Sequence, residues 1–249
     1  MTDDRAAARP RKVTPAQAAG ILAERDPVIA RLVAAAGLPS FARPTETHFT
    51  ALVRPIIYQQ LAGPAARAIY GRLVTALGGE ITPEGLLAIS PEDLRTAGLS
   101  GNKALSVKDL AAKVLDGTVV LDSRRLARES NEEVAARLTT VRGIGRWSAE
   151  MFLLFQLRRL DVWPTGDLVI RKGFALAWDI PTPTPKQLDA LGEPFRPYRN
   201  VLLASRPALR RRQGQRRHQL TTPTKSQKLK SVISNGPGRL WPPKQSPTG

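Results

Sequence analysis

Phe49, Leu52, Val53, Ile56, Ile57 and Leu61 recur at spacings of three and four, which puts them on one face of a helix starting near Thr47. Pro55 lies inside this pattern and is expected to kink the helix or remove one of its backbone bonds. A second apolar-periodic run, "RWSAEMFLLF" from Arg146, and a third, "LVIRKGFALAW" from Leu168, also read as helices. Their punctuation agrees. A Ser, Thr or Asp followed by Pro supplies a capping oxygen beside a residue whose missing N–H costs nothing at the first helical position. That pair occurs at Thr14-Pro15, Asp26-Pro27, Thr82-Pro83, Ser90-Pro91 and Thr184-Pro185, and "SNEE" from Ser130 to Glu133 has capping-box spacing. Gly37, Gly63, Gly78 with Gly79, and Gly117 stand where helices would end on a left-handed cap. The one strand-like run, "TVVLD" at 118–122, is too short to argue for a sheet, so the expected class is all-α.

At or beyond Ser205 the apolar period is lost and Arg, Pro, Gly, Ser and Gln dominate, as expected of a disordered tail. The organisation that follows is a flexible N-terminus over 1–13, a helical domain over 14–204 and a basic tail over 205–249. The tail alters the meaning of the charge. The chain carries 38 Lys and Arg against 21 Asp and Glu, a formal +17. Eleven of those basic residues and none of the acidic ones fall at or beyond Ser205, leaving the rest of the chain at only +6. Such an excess is the footprint of a polyanion binder.

There is no cysteine among the 249 residues, which excludes disulfides, thiolate zinc sites and iron–sulfur clusters and suits an intracellular setting. No apolar run approaches the roughly 18 residues a membrane span requires, and "MTDDRAAARPRK" lacks the apolar centre of a signal peptide. His48 and His218 are the only histidines, and no acid cluster has metal-ligand spacing, so no catalytic metal and no required cofactor is expected.

The chemistry concentrates in "LTTVRGIGRWSAEMFLLFQLRRLDVWPTGDLVIRKG", residues 138–173. A helix end, a turn containing Gly143 and Gly145, and a second helix compose a hairpin whose backbone amides can approach an anion. Arg142 and Arg146 flank it, so the natural anion is a nucleic-acid phosphate, held without regard to sequence. A dinucleotide fold would need a preceding strand and a third glycine, and neither is present.

"LTTVRGIGRWSAEMF" resembles the helix-hairpin-helix of the DNA glycosylase superfamily, and "DVWPTGDLVIRKG" resembles the segment carrying that superfamily's catalytic aspartate. "IIYQQLAGPAARAIYGRL" at 56–73 and "AGLSGNKALSVKDLA" at 97–111 bring the resemblance closest to the 3-methyladenine DNA glycosylase II type, in a short form covering about 14–203. The resemblance implies two helical subdomains flanking a DNA-binding cleft. It further implies a monomer acting on double-stranded DNA with a damaged base, and a monovalent cation at the hairpin carbonyls.

On this reading Asp167 is the catalytic acid, a fixed carboxylate facing the positive charge that develops on deoxyribose as the base leaves. It also precedes a helix whose N-terminus favours negative charge, so a plain capping role is compatible. Asp161 reads as structural. Position 147 sets the subtype: bifunctional members place a lysine there to form a Schiff base, whereas Trp147 supplies a stacking face for a cationic purine and no amine. Tyr198 and Tyr58 match walls of the base pocket, and Met151 stands where relatives carry an aromatic. Gln60 and Leu61 are the two candidates for the wedge that fills the gap left by a flipped base, and Lys103 is a candidate phosphate contact.

Relatives continue past "PYR" with an aromatic-rich helix, whereas here "NVLLASRPALRRRQGQRRHQL" follows. Out-of-frame translation of a GC-rich coding region would produce such an ending, and a disrupted C-terminus could leave an inactive glycosylase. The other rivals are a non-catalytic helix-hairpin-helix DNA-binding module, which needs no carboxylate, and an oxidised-purine glycosylase with lyase activity, against which Trp147 argues.

Overall fold

The structure, a computed structural model, describes residues 13–38 and 43–204, and every described element is helical. The expectations for residues 1–12 and 205–249 therefore lie outside the described residues. Each of the five Ser, Thr or Asp plus Pro pairs opens a helix. These are α1 (Pro15–Arg25), α2 (Pro27–Ala36), α5 (Pro83–Ala88), α6 (Pro91–Thr96) and α12 (Pro185–Gly192), with the capping oxygen accepting from the backbone each time. Ser130 and Glu133 close a reciprocal capping box on α9 (Asn131–Thr139).

Thr47 caps α3 (His48–Tyr58), which keeps Pro55 within it. Phe49, Leu52, Val53, Ile56 and Ile57 of this helix are buried in the core, whereas Leu61 lies beyond the helix end and is 38% exposed. Truncating one of the buried leucines, such as Leu52, to alanine would cost about 2–5 kcal/mol through lost transfer energy and a residual cavity.

One glycine departs from expectation. Gly63 begins α4 (Gly63–Ala76) instead of ending a helix, because Pro64 behind it suits a first turn and Ala62 has the extended backbone of an N-cap. Gly37, Gly78, Gly79 and Gly117 do adopt positive φ at helix ends. The "TVVLD" run forms no strand; Val119 N–H instead donates to Lys113 O at 2.7 Å, closing the end of α7 (Gly101–Leu115).

The packing falls into two groups. α3, α4, α5, α6, α7, α9 and α10 (Arg146–Met151) pack among themselves. α1 and α2 pack together and against α11 (Leu168–Trp178) and α13 (Val201–Ala204), the last described segment. α8 (Ser123–Arg128) contributes Leu126 to the shared core. α10 continues into a π-helical turn, Phe152–Gln156, where Leu157 N–H reaches back to Phe152 O at 3.0 Å. Such turns favour functional neighbourhoods. Among the described residues no helix is long and apolar enough to cross a membrane.

Candidate active site

The hairpin turn between α9 and α10 requires a glycine at one of its two glycine positions. Gly143 has φ +78°, and a Cβ there would stand 2.8 Å from Ser106 Oγ, so both conformation and space exclude a side chain. Gly145 has φ −91°, an ordinary extended value, and nothing lies within 4 Å of where its Cβ would be. Its usefulness is the exposed backbone it presents, not a left-handed conformation.

The turn is tied down from three sides. Asp109 of α7 accepts the backbone N–H of Arg142 at 2.7 Å and the Lys113 ammonium at 2.9 Å. Burial pushes the Asp109 carboxyl up, but those two partners outweigh it and hold the group below its ordinary value. Lys113 also donates to Thr140 O at 2.6 Å, satisfying a carbonyl at the C-terminal end of α9. Gln59 Nε2 donates to Gly143 O at 2.9 Å.

The two flanking arginines behave differently. Arg142 is exposed, its guanidinium making one 3.1 Å contact with Asn102 Oδ1. Arg146 is committed to protein carboxylates: Nε donates to Glu150 Oε1 at 2.9 Å and Nη2 to Glu132 Oε2 at 2.9 Å, with a further Nη1 contact to Glu132. It clamps α9 to α10. Glu150, 9% exposed, has its carboxyl raised chiefly by burial, with the negative charges of Glu132 and Asp167 adding to the rise against the opposing Arg146. Glu150 lies one helical turn from Arg146, whereas Glu132 reaches it from the preceding helix.

Asp167 caps α11 with one oxygen and meets the hairpin with the other. Oδ1 accepts the N–H groups of Val169 at 2.7 Å and Ile170 at 3.2 Å, while Oδ2 accepts the indole N–H of Trp147 at 2.8 Å. Capping and presentation to the hairpin are thus carried out together by one carboxylate. Trp147 is 52% exposed, so about half of the residue remains accessible although its N–H is used. Leu168 and Val169 are also exposed, giving the acid an apolar border. Asp161 holds the preceding segment, accepting from Arg199 Nε at 2.6 Å and Arg196 Nη1 at 2.7 Å.

Beyond Met151, one turn along from Trp147, α3 and the π-turn border an open groove of about 560 Å³. Met151, Phe155 and Pro55 are among its apolar lining residues, and Glu46, Arg54 and Gln156 among its polar ones. Tyr58 packs edge-on against Tyr70, with ring centroids 6.5 Å apart, and Tyr198 packs at the margin of the core. The structure therefore brings Trp147 to Asp167 directly, while Tyr58 packs against Tyr70 and both Tyr58 and Tyr198 pack against the core.

The residues after Tyr58 form a tight turn. Leu61 N–H donates to Tyr58 O at 3.3 Å, Gln59 is extended at φ −53° and ψ 131°, and Gln60 is left-handed at φ +57°. This is type II geometry, with glutamine where glycine or asparagine is preferred. A left-handed non-glycine costs on the order of 1–2 kcal/mol. Lys103 Nζ donates to Ile57 O at 2.6 Å and so closes the end of α3; burial lowers its pKa. Its ammonium thereby supports the turn, a role that the sequence reading did not include. Gln59 was missed as well, because no spacing rule links position 59 to position 143.

The chain matches the family model described as HhH-GPD superfamily base excision DNA repair protein over residues 53–197. It is 39% identical over 132 residues to DNA-3-methyladenine glycosylase 1 of Schizosaccharomyces pombe, covering 52% of this chain and 58% of that protein. It is 34% identical over 137 residues to DNA-3-methyladenine glycosylase of Saccharomyces cerevisiae, covering 52% of this chain and 46% of the relative. The chain thus spans about half the length of these relatives. Among solved structures it resembles a DNA-3-methyladenine glycosidase from Bacillus halodurans, with a TM-score of 0.71 and 32% identity over 77% of this chain and 88% of the other. It also resembles the S. pombe 3-methyladenine DNA glycosylase in complex with abasic DNA, with a TM-score of 0.64 and 33% identity over 76% and 95% of the two chains.

Proposed function

The chain belongs to the HhH-GPD superfamily of base excision DNA repair proteins, and on that premise we propose that it hydrolyses the N-glycosidic bond of alkylated purines, of the 3-methyladenine type, in double-stranded DNA. The observation that carries this reading is the Asp167 carboxylate, fixed by two backbone N–H groups and the Trp147 indole at the mouth of the hairpin. As the base departs with the bonding electrons, positive charge develops on deoxyribose, and a preorganised carboxylate stabilises it there without reorganising. Water then adds at C1′ and gives up a proton to Asp167 or to solvent, leaving an abasic sugar. Position 147 carries an indole and no amine, so no Schiff base forms and the strand stays intact.

Trp147, about half exposed, offers its ring to the cationic purine. The exposed backbone at Gly143 and Gly145, with Arg142, grips the phosphate chain, and the 59–61 turn fills the gap in the stack. Neutral carbonyls at the end of α9 are suitable donors for a monovalent cation, although Thr140 O and Gly143 O already have protein donors. The protein acts as a monomer inside the cell. The test is base release from alkylated duplex DNA: free 3-methyladenine without strand scission supports the reading, whereas binding without release supports a non-catalytic module, and a borohydride-trapped adduct with abasic DNA supports a lyase.

A further inference from the structure

The turn that follows α3 is held to the hairpin by one side chain. Gln59 Nε2 donates to Gly143 O at 2.9 Å, joining residues 84 apart in the chain. The assignment of the amide is unambiguous in chemistry, because a carbonyl can only accept and only the –NH2 end of glutamine can donate. The next residue, Gln60, is exposed and held left-handed at φ +57°. A strained residue of this kind persists when its surroundings over-determine it. Here Lys103 fixes Ile57 O on one side of the turn, the Tyr58–Leu61 hydrogen bond closes it, and Gln59 anchors its outer corner. The hairpin around Gly143 is itself held, since Asp109 accepts the N–H of the preceding Arg142 at 2.7 Å.

We infer that Gln59 is a positioning residue that couples the phosphate-gripping hairpin to the wedge turn, so that seating the hairpin on the DNA backbone sets the depth and direction at which Gln60 enters the base stack. This rests on the proposed action on duplex DNA. Gln59 touches neither the base nor the sugar; it acts through Gln60.

The test uses the full chain and a duplex with an uncleavable abasic analogue beside 2-aminopurine, whose fluorescence rises when the stack is opened. That signal needs no base release, so it is read independently of the proposed chemistry. Gln59→Met keeps the side-chain length and removes the donor; Gln59→Asn keeps the amide but falls one methylene short. Both should cut the fluorescence rise several-fold, and lower single-turnover release from paired duplex by about tenfold, while the loss stays under about threefold where the damaged base is already unpaired and costs little to extrude. Combined with Gln60→Ala, the Gln59→Met effect should largely vanish, the non-additivity expected of two residues acting as a unit.

Additive losses in that double substitution, an equal loss on paired and unpaired substrates, or no fluorescence rise with the unmutated protein would each overturn the coupling. Absence of release by the unmutated protein, with the fluorescence pattern intact, would instead overturn only the proposed reaction. A melting curve for each variant identifies any that fail to fold, and Gln59→Asn and Gln59→Met provide two independent routes to the same loss.

Discussion

The indole N–H of Trp147 donates to Asp167 Oδ2 at 2.8 Å, so the first turn of one helix orients the carboxylate that caps another. The second oxygen of Asp167 is occupied by the N–H groups of α11. Rotation of the carboxylate would break three hydrogen bonds, and the group is thereby fixed before any substrate arrives.

Trp147→Phe separates the two uses of the tryptophan, since it keeps an aromatic face and deletes the donor. Single-turnover release of 3-methyladenine should fall by about tenfold to a hundredfold, the range for loss of one hydrogen bond to a charged group. DNA affinity, measured by anisotropy on an abasic duplex, should change by less than about threefold. Equal losses in rate and affinity would show that the ring, and not the N–H, does the work.

Gly143→Ala and Gly145→Ala should differ. The first introduces a positive-φ alanine and a Cβ 2.8 Å from Ser106 Oγ, and should lower stability by about 1–3 kcal/mol. The second has an ordinary φ and open space, so its melting temperature should remain unchanged while its DNA affinity falls, because the methyl group holds the phosphate away from the backbone.

Arg142 and Arg146 give a matching contrast. Exposed Arg142, changed to Gln, should reduce the slope of log affinity against log salt by about one, as expected for one lost phosphate contact. Arg146→Gln should leave that slope unchanged and instead cost about 2 kcal/mol of stability, because it removes the charged partner of both Glu132 and nearly buried Glu150.

Glu129 provides the pH dependence. The Arg137 guanidinium hydrogen-bonded to it, with help from Arg125, holds its carboxyl at about 2 against an ordinary 4.5. A depressed carboxyl contributes stability that is complete above its unfolded pKa and disappears as pH falls towards its folded one. Glu129→Gln should therefore melt roughly 4–8 °C below the unmutated protein at pH 7, corresponding to about 2 kcal/mol. That gap should close between pH 4.5 and about 2. A gap independent of pH would assign the effect to packing.

Local signals carried most of the helical architecture. Thr14, Asp26, Thr82, Ser90 and Thr184 start their helices because a capping oxygen and the following Pro act within a few residues, and those neighbours are visible in any sequence. Gly63 misled because glycine suits both ends of a helix, and only Pro64 distinguishes them. Asp167 was legible as both cap and candidate acid. Its bond to Trp147, the Lys103 and Gln59 bonds that shape the turn after α3, and Glu132 as the partner of Arg146 all join separate elements. The π-turn at Phe152–Gln156 has no periodic signature, since one widened turn leaves the apolar run intact. Each of these is fixed by tertiary packing, which periodicity does not encode.

Asp167 is proposed to stabilise the positive charge on deoxyribose as the base departs, and Asp167→Asn tests this most directly. Asparagine is as good an N-cap as aspartate, so with its one oxygen on the Val169 and Ile170 N–H groups fold and DNA binding should persist, while its –NH2 end replaces the oxygen that accepts from Trp147. On alkylated duplex DNA under single-turnover conditions, the unmutated protein should release 3-methyladenine, and Asp167→Asn should be slower by at least about a hundredfold, as expected when a preorganised electrostatic group is removed. Release at equal rates by both proteins, or tight binding by both with no release from either, would contradict the account.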